Sequence, residues 1–292
     1  KEMKDSGLVF LKNFSELSIS GEGSKDFLQG QISADIDKID ENNSSLACLC
    51  NVKGRVISSF TLIKDTSGKN RFSLIGPKET IQRTERELRK YIPFYKSEMK
   101  IKNESNLFGC KEEISEILFG DLNFSENNTV SFQNEKLIRF LNKSFILIYA
   151  SSELSDTLRA ISNEDPSEWI LDDILNKNVE IDENTSELYL PHDLNYHENG
   201  RIDFEKGCYT GQEIIARMQY RSKNLPRLYL LNSMKEVKTN MVVTKKNSEK
   251  KIGSVVSSVK NSNGSSFLVS ISKNLEEKEI SIRELDINLS IN

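Results

Sequence analysis

Cysteine is scarce, and its scarcity is the first constraint. The 292 residues hold four cysteines, Cys48, Cys50, Cys110 and Cys208. Four in a chain of this length do not make a disulfide framework. Cys48 and Cys50 are one residue apart and share a face if they lie in a strand, but this is not the C-x-x-C of redox or zinc sites. Only two histidines are present, His192 and His197. No second cysteine pair and no acidic H-x-x-x-H motif accompanies them, so no metal centre is expected. No apolar run approaches the ~20 residues needed to span a bilayer; Phe145–Ala150 is strand-sized. The opening Lys1–Asp5 lacks a signal-peptide hydrophobic region, so a soluble protein of the reducing cytoplasm is expected, away from membranes. Excess positive charge is also missing. A net charge of −4 excludes a general nucleic-acid coat, though not a local basic patch.

With 37% hydrophobic and 29% charged residues, the chain has material for about two domains. The pattern predicts strands at Leu8–Leu11, Leu17–Ser20, Ser45–Cys50, Val56–Ile63 and Arg71–Ile75. It predicts a short helix at Lys25–Gln29, capped by Ser24 and ended by Gly30. A longer helix follows Pro77 and stops at Pro93, with Ile81 and Leu88 inward and Glu79–Arg83 and Glu85–Arg89 as i,i+4 pairs. Lys136–Leu141 and Phe145–Tyr149 read as a hairpin. Glu153–Ile161 and Ser167–Leu175 read as helices, the second carrying the only tryptophan, Trp169. After Pro226 the texture changes to short alternating runs, Arg227–Asn232, Met241–Lys245, Lys251–Val259, Ser266–Ser272 and Glu279–Ile291. These describe a small all-β, barrel-like unit.

One octet stands out: Lys206, Gly207, Cys208, Tyr209, Thr210, Gly211, Gln212, Glu213. Gly211 frees the backbone to turn into a helix over Gln212–Tyr220, with Ile214, Ile215 and Met218 available for its buried face. Unsatisfied N–H groups and partial positive charge gather in a first helical turn. A thiol nearby, beside Lys206, ionises more easily than an ordinary one. Cys208 thus reads either as a poised thiol tuned by Lys206 or as a small residue buried in a tight turn.

Charge is unevenly spread. Arg201–Arg227 holds six basic residues against three acids, whereas Glu164–Glu187 holds nine acids and one lysine. The basic stretch suits an anionic ligand such as phosphate, a folate glutamate tail or RNA; equally, its residues can pair with the acidic segment.

The octet, continued through Ile214-Ile215-Ala216-Arg217, resembles the signature of the YgfZ family. Phe27-Leu28-Gln29-Gly30-Gln31 with Ser33-Ala34-Asp35, Asn51-Val52-Lys53-Gly54-Arg55, Glu87-Leu88-Arg89-Lys90-Tyr91, Pro191, Asn195 and Phe204 fit the same family. The resemblance covers most of the chain. It implies an α+β, aminomethyltransferase-like folate-binding fold, a ring of three domains with a C-terminal β-barrel. On that basis residues 1–225 form two intertwined α+β domains and 226–292 the barrel.

The resemblance also implies function. Family members bind tetrahydrofolate and support assembly or repair of iron–sulfur enzymes, including those that thiolate tRNA, and the cysteine at Cys208 is needed for that role. The expected partners are folate and iron–sulfur client proteins, with tRNA reached indirectly, for a chain expected to be a monomer. One cysteine cannot hold a cluster alone, so Cys208 is expected to act as a transient cluster ligand. Two tryptophans are associated with folate in bacterial relatives. One matches Trp169; the other position is Phe14, which keeps an aromatic face but loses the indole N–H. Tyr209, Gln212, Glu213 and Arg217 complete the candidate ligand set. Each has an ordinary alternative: Tyr209 as a packed ring, Gln212 and Glu213 as helix-terminal residues, Arg217 as the i,i+4 partner of Glu213. The related aminomethyltransferases carry an Asp-Asp pair that falls on Ser58-Ser59 here. Serine has no titratable group near neutral pH to replace it, so an accessory factor is expected rather than a classical enzyme. The alternatives are a folate-dependent one-carbon transferase and a module binding tRNA directly through Arg201–Arg227.

Overall fold

The computed structural model describes residues 7–65, 68, 70–102, 106–124, 127–140, 142–271 and 279–291. In chain order its elements are β1 (Leu8–Phe10), β2 (Phe14–Gly21), α1 (Ser24–Gln29), β3 (Ser45–Cys50), β4 (Val56–Lys64), β5 (Arg71–Pro77), α2 (Lys78–Arg89), β6 (Ser97–Lys102), β7 (Leu107–Lys111) and α3 (Glu112–Phe119). There follow β8 (Thr129–Phe132), β9 (Glu135–Ile138), β10 (Phe145–Tyr149), α4 (Ser152–Ile161), α5 (Ser167–Leu175) and α6 (Gln212–Arg221). The C-terminal strands are β11 (Arg227–Ser233), β12 (Val242–Lys245), β13 (Lys251–Asn261), β14 (Gly264–Ile271), β15 (Glu279–Ile282) and β16 (Ile287–Ser290).

These strands make three antiparallel sheets, ordered β3-β4-β5-β2-β6, β1-β7-β10-β9-β8 and β11-β14-β13-β12-β15-β16. The first two interleave. β1 pairs with β7 while β2, four residues later, pairs with β5. The third is a curled half-barrel: no ladder joins β11 to β16 among the described residues, so the expected barrel is open. The long helix forms as its sequence dictates, with Pro77 at the N-cap and Ile81 and Leu88 buried against the first sheet. Glu85 pairs with Arg89 as expected, but Arg83 leaves Glu79 for Glu187.

Several expectations are corrected. Ser24 does not cap α1 with its side chain; its hydroxyl donates to the Asn70 carbonyl at 2.6 Å, and Gly23 holds the N-cap position. The final run is two strands, because Asp286 at φ 50° reverses the chain between β15 and β16. β6, β7, α3 and β8 had no counterpart in the pattern reading. Lys1–Asp5, Leu141 and Ser272 lie outside the described residues.

One core joins the first and third sheets. It gathers Cys48, Cys50 and Val56 from the first sheet, Leu228, Val256, Val259 and Leu268 from the third, and Ile174, Val179, Ile181, Tyr196, Tyr209 and Ile215 from the long intervening segment. That segment carries both candidate sites.

Candidate functional site

Trp169 sits on α5, 5% exposed, with its ring against Gly109 of β7. A Cβ at Gly109 would stand 2.2 Å from the indole Cε3, so only glycine admits the ring there. Phe14 meets Trp169 edge-on at 6.2 Å, and Phe145 does so at 5.9 Å. Lys143 lies over the indole, 3.4 Å from the ring centroid, and donates to Asp173 at 2.6 Å. Phe14 and Trp169 together line a cavity of about 280 Å³ where α5, β2 and β13 meet. The indole Nε1–H is buried without a hydrogen-bond partner among the described residues.

The cavity is acidic. Glu79, Asp173, Glu180 and Asp182 line it, and no Lys or Arg does among the described residues. Burial pushes the Asp173 carboxyl up; Lys143 opposes that shift and the Glu180 charge adds to it. Glu180 is held from two sides. Ser59 donates to its Oε2 at 2.6 Å, and the buried Arg201 guanidinium donates to its Oε1. Ser59 in turn accepts the Ile181 N–H at 2.8 Å. The expectation that Ser58-Ser59 leaves this region without a carboxylate is therefore corrected. Ser58 is tied to Thr84 at 2.5 Å, but Ser59 grips a carboxylate contributed by residue 180. Glu180, Asp173 and Arg201 were not singled out from the sequence. The one usable signal was the acidic run beside the basic stretch, since the Arg201–Glu180 ion pair joins the two.

The octet lies elsewhere. Gly211, at φ 85°, is the N-cap of α6, as its position before a helix predicts. It rests on the Asn51–Arg55 turn, where Gly54 has φ 74° and Asn51 Oδ1 accepts the N–H groups of Lys53 and Arg55. Cys208 is exposed and Tyr209 is buried beneath it. Glu213 and Arg217 pair at 2.9 Å on the exposed face of α6. Cys208, Tyr209, Gln212, Glu213 and Arg217 do not line the cavity of Phe14 and Trp169. The candidate residues thus divide into two groups rather than converging on one pocket.

The expected tuning of Cys208 by Lys206 is also corrected. Lys206 is buried, and its ammonium donates to the carbonyls of Gln29 at 2.8 Å and Ile32 at 2.6 Å. It also lies over the Tyr209 ring at 4.9 Å. Burial pulls its pKa down to about 8, against the opposing charges of Asp35, Asp203 and Cys48. Lys206 anchors the octet to the end of α1. Arg201 is fully buried as well, so two of the six basic residues of Arg201–Arg227 are unavailable to an anionic ligand.

Three antiparallel sheets, the last curled into a half-barrel, define the aminomethyltransferase fold. The glycine cleavage system aminomethyltransferase T of Bartonella henselae superposes with a TM-score of 0.71 at 15% identity, covering 98% of this chain and 84% of that one. No protein-family model matches the chain. Among curated relatives, the tRNA-modifying protein YgfZ of Colwellia psychrerythraea is 30% identical over 243 residues, 80% of this chain and 74% of the relative. That of Escherichia coli strain SE11 is 30% identical over 235 residues, covering 77% and 71%. That of Vibrio vulnificus is 27% identical over 225 residues, covering 76% and 68%. The chain belongs to the YgfZ family.

Proposed function

We propose that this protein is a folate-binding accessory factor that supports assembly or repair of iron–sulfur enzymes, including those that modify tRNA. In this reading the Phe14–Trp169 cavity takes the pterin ring, and Cys208 acts separately at the surface. The observation that carries it is a cavity walled by the Phe14 and Trp169 rings and by carboxylates. A pterin offers flat faces to Phe14 and Trp169, and ring N–H and amino donors to Glu180 and Asp173. At about 280 Å³ the cavity is near the small end of ligand pockets, ~300–1,000 Å³. It has room for a bicyclic ring, while the anionic tail of folate would be repelled by its carboxylates. Tetrahydrofolate carries one-carbon units on a nitrogen of its pterin ring and on the neighbouring exocyclic nitrogen; the residues here bind and orient that ring.

Cys208 has the exposure that a transient ligand to a client's cluster requires. The shared name of the relatives, tRNA-modifying protein, supports the link to tRNA, and among the described residues no helix is long and apolar enough to cross a membrane. A strain defective in tRNA thiolation provides the test. Cys208→Ala should abolish complementation while leaving tetrahydrofolate binding within about twofold of the parent. Full complementation by the variant would overturn the role of the thiol, and unaltered Trp169 fluorescence on adding tetrahydrofolate would overturn that of the cavity.

A second reading, one-carbon transfer, draws support from Glu180. Its carboxylate stands at Ser59, where the related enzymes use an aspartate. Turnover of an aminomethyl donor with tetrahydrofolate, lost in Glu180→Gln, would favour this reading over the first.

A further inference from the structure

Cys48 and Cys50 have no part in that reading. Alternate residues of a strand face the same way, and on β3 the two sulfurs lie 3.8 Å apart, both residues buried. The ladder to β4 is broken beside them. Leu49 pairs with Ser58 and Cys50 with Val56, so Ile57 is skipped in the ladder. Cα atoms two apart in a regular strand are separated by about 6.7 Å, the outer edge of the ~4.4–6.8 Å that disulfides accept. Closing the sulfurs to a bond of about 2.05 Å therefore needs side-chain rotation and a slight contraction, at a point where the pairing is already irregular.

The surroundings favour an ionised sulfur. Burial pushes the Cys48 thiol up, but hydrogen bonds with Cys50 and Ser33 and the buried charges of Arg201 and Lys206 outweigh it, leaving Cys48 below the ordinary thiol value. Its hydrogen bond to Cys48, and then burial, push Cys50 well up. The contrast is Cys110, raised to about 12 by burial alone. Space for a small molecule lies beside Cys50, on the Leu49 face of β3. Cys50 lines a cavity of about 160 Å³ with Gln31, Leu49, Asn51, Glu187 and Thr210. A water occupies ~30 Å³ of liquid, so the cavity has room for a molecule a little larger than water and not for a tripeptide thiol.

We propose that Cys48 and Cys50 are a second thiol site, a redox-active pair that a small hydroperoxide entering beside Cys50 converts to a disulfide. One thiolate of the pair attacks the peroxide, the O–O bond breaks, hydroxide leaves and a sulfenic acid forms. That hydroxide takes the proton of the other thiol. The second thiolate then attacks the sulfenic sulfur, the S–O bond breaks, and a second hydroxide leaves to be protonated by solvent. Two thiols and hydrogen peroxide become one disulfide and two waters, with two electrons passing to the peroxide.

The test uses the folded full chain with Cys208→Ala, which leaves three thiols. After hydrogen peroxide, acid quenching and denaturing alkylation, the expected result is a loss of 2 Da, one remaining thiol at Cys110, and a peptide closed between Cys48 and Cys50. Adding Cys48→Ser should replace the 2 Da loss by oxygen addition at Cys50 or by no change. Three thiols surviving peroxide while the circular dichroism stays native would overturn the proposal and leave the pair as packing. Oxidation of Cys110 at the same rate as the pair would also overturn it, because unfolding would then be the route.

Discussion

Gly54 and Gly211, 157 positions apart in sequence, lie against each other: a Cβ on Gly211 would stand 3.1 Å from Gly54 Cα and 2.5 Å from the Asn51 carbonyl oxygen. Both have positive φ, 74° and 85°. The contact fastens the start of α6 to the turn between β3 and β4, and so fixes where Cys208 emerges. Gly211→Ala should be costly twice, through the left-handed backbone and through overpacking, for a loss of about 1–3 kcal/mol. Gly207→Ala meets nothing within 4 Å and should be near neutral. Urea unfolding of the two variants checks the contrast, and equal midpoints would contradict it.

Glu180 offers a sharper stability test. Arg201 is fully buried and its guanidinium is shared among Glu180 and the carbonyls of Ala47 and Phe60, at 3.2 and 3.3 Å. Glu180→Ala leaves that cation without its ion-pair partner, and breaking a buried pair from one side costs about 3–5 kcal/mol. Restoring the balance with Arg201→Met in the same chain should recover part of the loss. A double variant no more stable than Glu180→Ala would mean the pair is not coupled as the contacts indicate.

These two residues show where local pattern stops being informative. Ser167–Leu175 was legible to the residue, because its turn chemistry and apolar spacing are contiguous, and so were the starts of β3, β4, β10, β11 and β13. β6 was missed because Ser-Glu-Met-Lys-Ile-Lys alternates charge with only two apolar side chains. α3 was missed because eight residues carry little periodic signal. The octet announced its helix through Gly211. The acidic cavity could not be read the same way: Ser59 and Glu180 are 121 positions apart, and no local spacing relates them. Lys206 misled for the opposite reason. Adjacency to Cys208 in sequence suggested tuning, but its four-carbon stem carries the ammonium away to Gln29 and Ile32.

Division of the candidate residues into two groups makes a binding prediction. Phe14 presents one aromatic wall of the cavity, and an aromatic contact is worth about 0.5–1.5 kcal/mol beyond burial. Phe14→Leu should weaken tetrahydrofolate about 2- to 12-fold, while the alkylation rate of exposed Cys208 stays unchanged. Titration by Trp169 fluorescence and timed alkylation give the two numbers. A changed Cys208 rate with unchanged affinity would mean the two regions are not independent.

His192 makes the protein acid-sensitive from within. It is 1% exposed, its Nε2 meets Gln219 Oε1 on α6 at 3.1 Å, and its ring lies tilted by 32° against His197, the centroids 4.8 Å apart. Burial lowers its pKa from 6.5 to about 4, with Gln219 opposing that shift and His197 adding to it. The unfolded chain therefore takes up this proton first as pH falls. Between about pH 6.5 and 4 the unfolded state binds more protons, so stability declines through that window and this contribution stops changing below it. A full shift of this size corresponds to about 3 kcal/mol at most. His192→Gln removes the titration. Compared by urea unfolding at pH 7 and pH 4.5, the parent should lose about 2 kcal/mol more than the variant. Equal losses would mean that the buried imidazole accepts its proton in the folded state as readily as in the unfolded chain.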